Sequence, residues 1–66
     1  MNKKSDRPIL VYRFSSLGDI AMTVPVLRSF FNSYPTQKIV FVSRPYASPL
    51  FEEFDKLEFI PVDLNN

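Results

Sequence analysis

The chain has no cysteine, no histidine and a single glycine among its 66 residues. Without cysteine there is no disulfide to staple a small fold, and without histidine the commonest metal ligand is missing. Zinc hydrolysis, Cys-His catalysis and Ser-His-Asp triads are excluded together. The lone glycine, Gly18, cannot build the G-x-G-x-x-G turn of nicotinamide or flavin folds, and the P-loop signature is absent as well. No apolar run approaches the ~20 residues that span a bilayer. Ser5-Asp6-Arg7-Pro8 interrupts any signal-peptide core behind Lys3 and Lys4. Nor is there an excess of charge: eight basic residues face seven acidic ones, a formal +1. No basic face of the kind that neutralises nucleic-acid phosphates stands out, so no nucleic-acid partner is expected. Lys3, Lys4 and Arg7 read as solvation of a polar N-terminal tail. The lack of cysteine fits a reducing compartment, and the expected location is cytoplasmic.

Length sets the next limit. A chain this short buries only about 60% of the surface that its unfolded form exposes. Ordering it costs on the order of 100 kcal/mol of conformational entropy. Ten aromatic side chains, seven of them Phe, are many for so small a chain to hide.

What is present alternates in period. Pro8 to Phe14 is a near-continuous apolar run with β-branched and aromatic members, as expected of a strand covered on both faces. Asp19 to Ser33 is helical in pattern: Ile20, Val24, Leu27 and Phe31 form one apolar stripe, and Met22, Val26 and Phe30 an adjacent one. Pro25 breaks this segment, giving a short turn over Asp19–Met22 and a main helix from Thr23, which is placed to cap it. Tyr34-Pro35 ends the helix. Lys38–Ser43 reads as a second buried strand, ended by Arg44-Pro45. Tyr46–Phe54 reads as a short helix packed through Leu50, Phe51 and Phe54. Leu57–Val62 reads as a third strand, with Pro61 marking an edge or a strand end. Asp63–Asn66 is turn-like. Strand-helix-strand-helix-strand predicts an α/β fold with parallel strands and right-handed crossovers, half of a doubly wound sheet. Three such strands leave surface to cover, so residues 1–66 read as the first part of a larger domain.

One turn concentrates the chemistry. Arg13-Phe14-Ser15-Ser16-Leu17-Gly18-Asp19 joins the first strand to the first helix, and ligands of open parallel sheets bind beyond the carboxyl ends of strands. Asp19 is either a first-turn or capping acid or a general base that accepts a hydroxyl proton. Ser15 and Ser16 either close the turn or line a nest for an anion or a sugar, with Gly18 allowing close backbone approach. Arg13 and Arg44, at the ends of the first two strands, are either surface cations with buried stems or cleft residues.

The same residues carry a resemblance. Ile9 through Ile20, then Thr23-Val24-Pro25-Val26-Leu27-Arg28, Tyr34-Pro35, Ile39–Val42 and Phe59–Asp63 resemble the N-terminus of the heptosyltransferases of glycosyltransferase family 9. The Ser-Ser-x-Gly-Asp segment with a downstream Thr-x-Pro is its most specific part. The resemblance implies a GT-B protein of two Rossmann-like domains, of which this chain is part of the N-terminal, acceptor-side one. It implies transfer of heptose from ADP-heptose to the inner core of lipopolysaccharide, without a metal or other cofactor. The partners implied are a lipid-linked saccharide acceptor and the nucleotide sugar, with peripheral contact at the inner face of the inner membrane. Asp19 maps onto the base that deprotonates the acceptor hydroxyl, and Ser15, Ser16 and Gly18 onto the cleft lining. Basic residues of the family meet acceptor phosphates and carboxylates; Arg13 and Arg44 are the candidates here. The nucleotide-sugar domain of the family has no counterpart in these residues, so the expectation is a chain inactive alone. Two alternatives stay open: a small anion- or nucleotide-binding module, and a non-functional truncated remnant. Oligomeric state is not legible in the sequence.

Overall fold

A computed structural model describes residues 7–63. The polar tail through Asp6, with Lys3 and Lys4, and the end of the Asp63–Asn66 turn lie outside the described residues. Three strands, β1 (Ile9–Arg13), β2 (Ile39–Ser43) and β3 (Leu57–Pro61), form one parallel sheet in the order β1-β2-β3. Two α-helices, α1 (Leu17–Ala21) and α2 (Thr23–Ser33), connect β1 to β2, and a 3₁₀ helix (Pro45–Phe51) connects β2 to β3. The fold is the expected α/β arrangement, a βαβαβ unit of a Rossmann-like sheet.

The core lies on one side of the sheet. Ile20, Val24 and Leu27 from the helices meet Ile39 and Phe41 of β2 and Ala47 and Phe51 of the 3₁₀ helix. In a strand, alternate side chains point to opposite faces. The register stacks Val11, Phe41 and Phe59 on the helical face and Tyr12, Val42 and Ile60 on the other. Aromatic packing closes the core: Phe41 and Phe51 lie 4.3 Å apart between ring centroids, Phe51 and Phe59 5.6 Å. Every Phe is at least partly covered, whereas Tyr12, Tyr34 and Tyr46 are all exposed. The aromatic surplus is thus divided by the hydroxyl, which keeps its bonds with water.

Local chemistry explains the helix boundaries. Ser16 is the N-cap of α1 and its Oγ accepts from Asp19 N–H at 3.4 Å. The helix therefore begins at Leu17, ahead of the expected Asp19, and Asp19 is a first-turn acid, not the cap. Pro25 occupies the third position of α2, where a backbone N–H has no intrahelical partner. Its ring would clash with the carbonyl of Ala21 in a continuous helix, so the chain breaks at Met22 into two helices. Thr23 does not cap the second. Its Oγ1 donates to the Ile20 carbonyl at 2.6 Å, tying the end of α1 to the start of α2.

Three expectations need correction. β1 is not covered on both faces: Leu10 is 56% and Tyr12 59% exposed. Both crossovers run in the same direction across the sheet, and right-handed crossovers then put every helix on the same side. The opposite face has no layer among the described residues. The helix after β2 is a 3₁₀ helix ending at Phe51, not one reaching Phe54; Pro49 inside it removes a donor and would clash with the carbonyl four residues earlier in an α-helix. Its buried anchors are Ala47 and Phe51, while Leu50 and Phe54 pack at the margin of the core. Pro61 does end β3, which is an edge strand, as expected.

Candidate functional site

The carboxyl ends of the strands form one row, Arg13–Ser43–Pro61. The β1–α1 turn and Arg44 follow directly from it. The row is locked by Ser43, which is fully buried. Its Oγ donates to the Arg13 carbonyl, and its own carbonyl accepts from Val62 N–H at 2.8 Å. One serine thereby fixes where β1 ends and where the Ser15–Asp19 turn begins. The sequence reading passed over it. The available signal was a hydroxyl closing an otherwise apolar strand, a position that hydrophobic burial alone does not favour.

The site residues fall into two groups. Arg13 and Asp19 line the same groove of about 360 Å³, together with Val11, Thr23, Met22 and Val26. Apart from Arg13 and Asp19 the groove wall is almost wholly apolar. Asp19 is exposed and its carboxylate makes no ion pair among the described residues. Ser15 is half-buried and Ser16 and Gly18 are exposed on the turn, outside the groove lining. The Ser16 hydroxyl is engaged with Asp19 N–H, and a helix of five residues carries little dipole, so the turn is a poor nest for a bare phosphate. Gly18 has an ordinary negative φ, and a Cβ there would meet nothing within 4 Å. The glycine is not demanded by the backbone; it leaves open space beside the turn.

Arg44 follows β2 and is half-buried, and its Nε is buried with no hydrogen-bond partner. A buried guanidinium N–H without an acceptor is costly, and in this conformation it is closed to an incoming ligand. Arg44 does not line the groove of Arg13 and Asp19. A second hollow, about 380 Å³, opens at the amino ends of the strands between Lys38, Asp55, Lys56 and Glu58. It is larger, but its charges alternate in sign and it lies at the end of the sheet opposite the loops that carry ligands in α/β folds. No group of three or more Asp, Glu, His or Cys residues gathers as a metal site among the described residues. None of their helices is long and apolar enough to cross a membrane. Compared with known proteins, the chain matches no family model, no curated protein and no solved structure.

Proposed function

We propose that this chain is the acceptor-side part of a glycosyltransferase, with Asp19 as the base that takes the proton from the acceptor hydroxyl. The observation that carries the reading is the placement of Asp19: exposed, without an ionic partner, on the turn after β1 at the carboxyl end of a parallel sheet. The Ser15-Ser16-Leu17-Gly18-Asp19 pattern, with its resemblance to family 9 heptosyltransferases, names the chemistry: heptose from ADP-heptose passes to the inner core of lipopolysaccharide. Ser15 and the open side of Gly18 offer room and a hydroxyl to the saccharide. By the resemblance, Arg13 and Arg44 are the cations for acceptor phosphates or carboxylates. In the transfer, the acceptor oxygen attacks the anomeric carbon, its proton goes to the Asp19 carboxylate, and ADP leaves with the bonding electron pair.

The reading places the chain at the inner face of the inner membrane, on the cytoplasmic side, in passing contact with a lipid-linked acceptor. It assigns donor binding to a domain outside these residues, so the 66-residue chain alone transfers nothing. Combined with a domain that binds ADP-heptose, Asp19→Asn lowers kcat by about 10²–10⁴-fold, the usual worth of a general base, and leaves acceptor KM within a few-fold. Unchanged kcat in that variant rules Asp19 out as the base. The second reading, an anion- or nucleotide-binding module, draws on the orphaned Arg44 Nε; it requires ADP or phosphate alone to raise the melting temperature of the chain.

A further inference from the structure

β2 leaves the sheet after Ser43, where Arg44 precedes the 3₁₀ helix that Pro45 begins. Arg13 and Ser43 are the last pair of the β1–β2 register. From Arg13 the chain runs on into the Ser15–Asp19 turn. A side chain holds the start of that turn against the sheet: Ser43 Oγ donates to the Arg13 carbonyl.

Ser43 is itself held firmly. It belongs to the middle strand and lies on the core face in line with Ile39 and Phe41, fully buried. Its carbonyl accepts from Val62 N–H at 2.8 Å. A hydroxyl is costly to bury there unless it is bonded, and the Arg13 carbonyl supplies the bond. The far end of the turn is fixed separately. Ile20 is fully buried. Its N–H donates to the Ser16 carbonyl at 2.9 Å and its carbonyl accepts from Thr23 Oγ1 at 2.6 Å. Asp19 N–H donates to Ser16 Oγ within the turn. Phe14 to Asp19 therefore hang between two anchors, the Arg13 carbonyl at the sheet and Ile20 in the core. Arg13 and Asp19, which line one groove, lie one beside each anchor.

We propose that Ser43 is a positioning residue of the candidate site. Through the Arg13 carbonyl, its hydroxyl sets where the Ser15–Asp19 turn stands against the sheet, and with it the fit of the turn to an acceptor saccharide. Ser43 is buried and acts through Arg13, not by contact with a ligand. Without the hydroxyl the turn shifts about its remaining anchor, and the spacing of Arg13 and Asp19 changes. The fit to a saccharide rests on the glycosyl-transfer reading; the hold on the turn does not. A merely structural bond would lower the stability of the whole chain and leave the folded turn unmoved.

Two variants separate these effects. Ser43→Ala removes the donor. Ser43→Thr keeps it and adds a methyl group in a buried position, so both are expected to melt below the parent. Ser43→Cys, close to serine in size and a weak donor, replaces Ser43→Ala if that variant does not fold. Residual dipolar couplings of the isotope-labelled, unliganded chains give the direction of each N–H in one frame. Those of Ser15 to Asp19 are expected to change in Ser43→Ala and to match the parent in Ser43→Thr, while those of β2 and α2 stay the same in both. Deacylated inner-core saccharide is then titrated at a temperature where circular dichroism shows every variant folded. Ser43→Ala is expected to bind about fivefold more weakly, the worth of one hydrogen bond, and Ser43→Thr as the parent does. Unchanged turn couplings in Ser43→Ala overturn the proposal, as do changes spread evenly over the chain or changes that Ser43→Thr shares. Equal affinity of the parent and Ser43→Ala overturns its saccharide half. A parent that binds no saccharide overturns the acceptor-side reading instead, and the couplings alone then decide whether Ser43 holds the turn.

Discussion

Ser43 shows how much one buried hydroxyl decides. It is the fully buried polar side chain among the described residues, and its bond to the Arg13 carbonyl joins β1 to β2 at the last ladder position. Ser43→Ala leaves that carbonyl without the donor and is expected to cost about 1–2 kcal/mol, read as a lower urea midpoint at unchanged slope. Gly18 is the reverse case. Its backbone is helical and a methyl group meets nothing, so Gly18→Ala is expected to stabilise the chain by about 0.5–1 kcal/mol. If the acceptor saccharide lies along the turn, the same variant binds it more weakly while melting higher; equal affinity would remove Gly18 from the site. The turn that carries Asp19 and the serines was legible in the sequence because hydroxyls, a glycine and an acid between a strand and a helix close turns and start helices, as Ser16 does here. Ser43 was not, because a strand-ending serine looks like any other until its partner, thirty residues earlier, is known.

Between elements, α2 and the segment after the 3₁₀ helix are held by Arg28, whose Nε and a terminal nitrogen donate to the Glu53 carboxylate at 2.8 and 3.0 Å. These hydrogen bonds, opposed by desolvation and helped by the Arg28 charge, hold the Glu53 carboxyl below its ordinary value. A carboxyl lowered in the folded state stabilises it above the ordinary carboxylate value and loses that contribution as pH falls through the lowered one. Glu53→Gln is therefore expected to be less stable than the parent at neutral pH and equal to it in strong acid. Salt should narrow the neutral gap, since the pair is exposed. A gap that persists in acid would assign the effect to packing. The order and type of most elements were readable from hydrophobic period: the strands from their β-branched runs, and α2 from its stripe. The boundaries were not, because they rest on single side chains: the Ser16 cap that starts α1 early, and Thr23 bonding back to Ile20. The 3₁₀ helix was read as a longer helix because Leu50, Phe51 and Phe54 do pack on the core, although the chain reaches Phe54 by a turn.

At the scale of the molecule, the apolar character of β1 promised cover on both sides, and the structure partly covers Val11 alone, on the helical face. Composition records that a strand expects burial; it does not say which chain supplies it. Phe41, Phe51 and Phe59 close the helical face of β2 and β3, whereas Leu10 and Tyr12 on the bare face of β1 stay exposed. The carboxyl end of the sheet holds the turn that would recognise a ligand, and two classes of ligand make opposite demands on it. Nuclear magnetic resonance of the isotope-labelled chain, titrated separately with deacylated lipopolysaccharide inner-core saccharide and with ADP, tests the acceptor-side reading most directly. The account predicts saccharide-dependent shifts at the amides of Ser15, Ser16, Gly18 and Asp19 and none with ADP; shifts at those amides with ADP and none with the saccharide would contradict it.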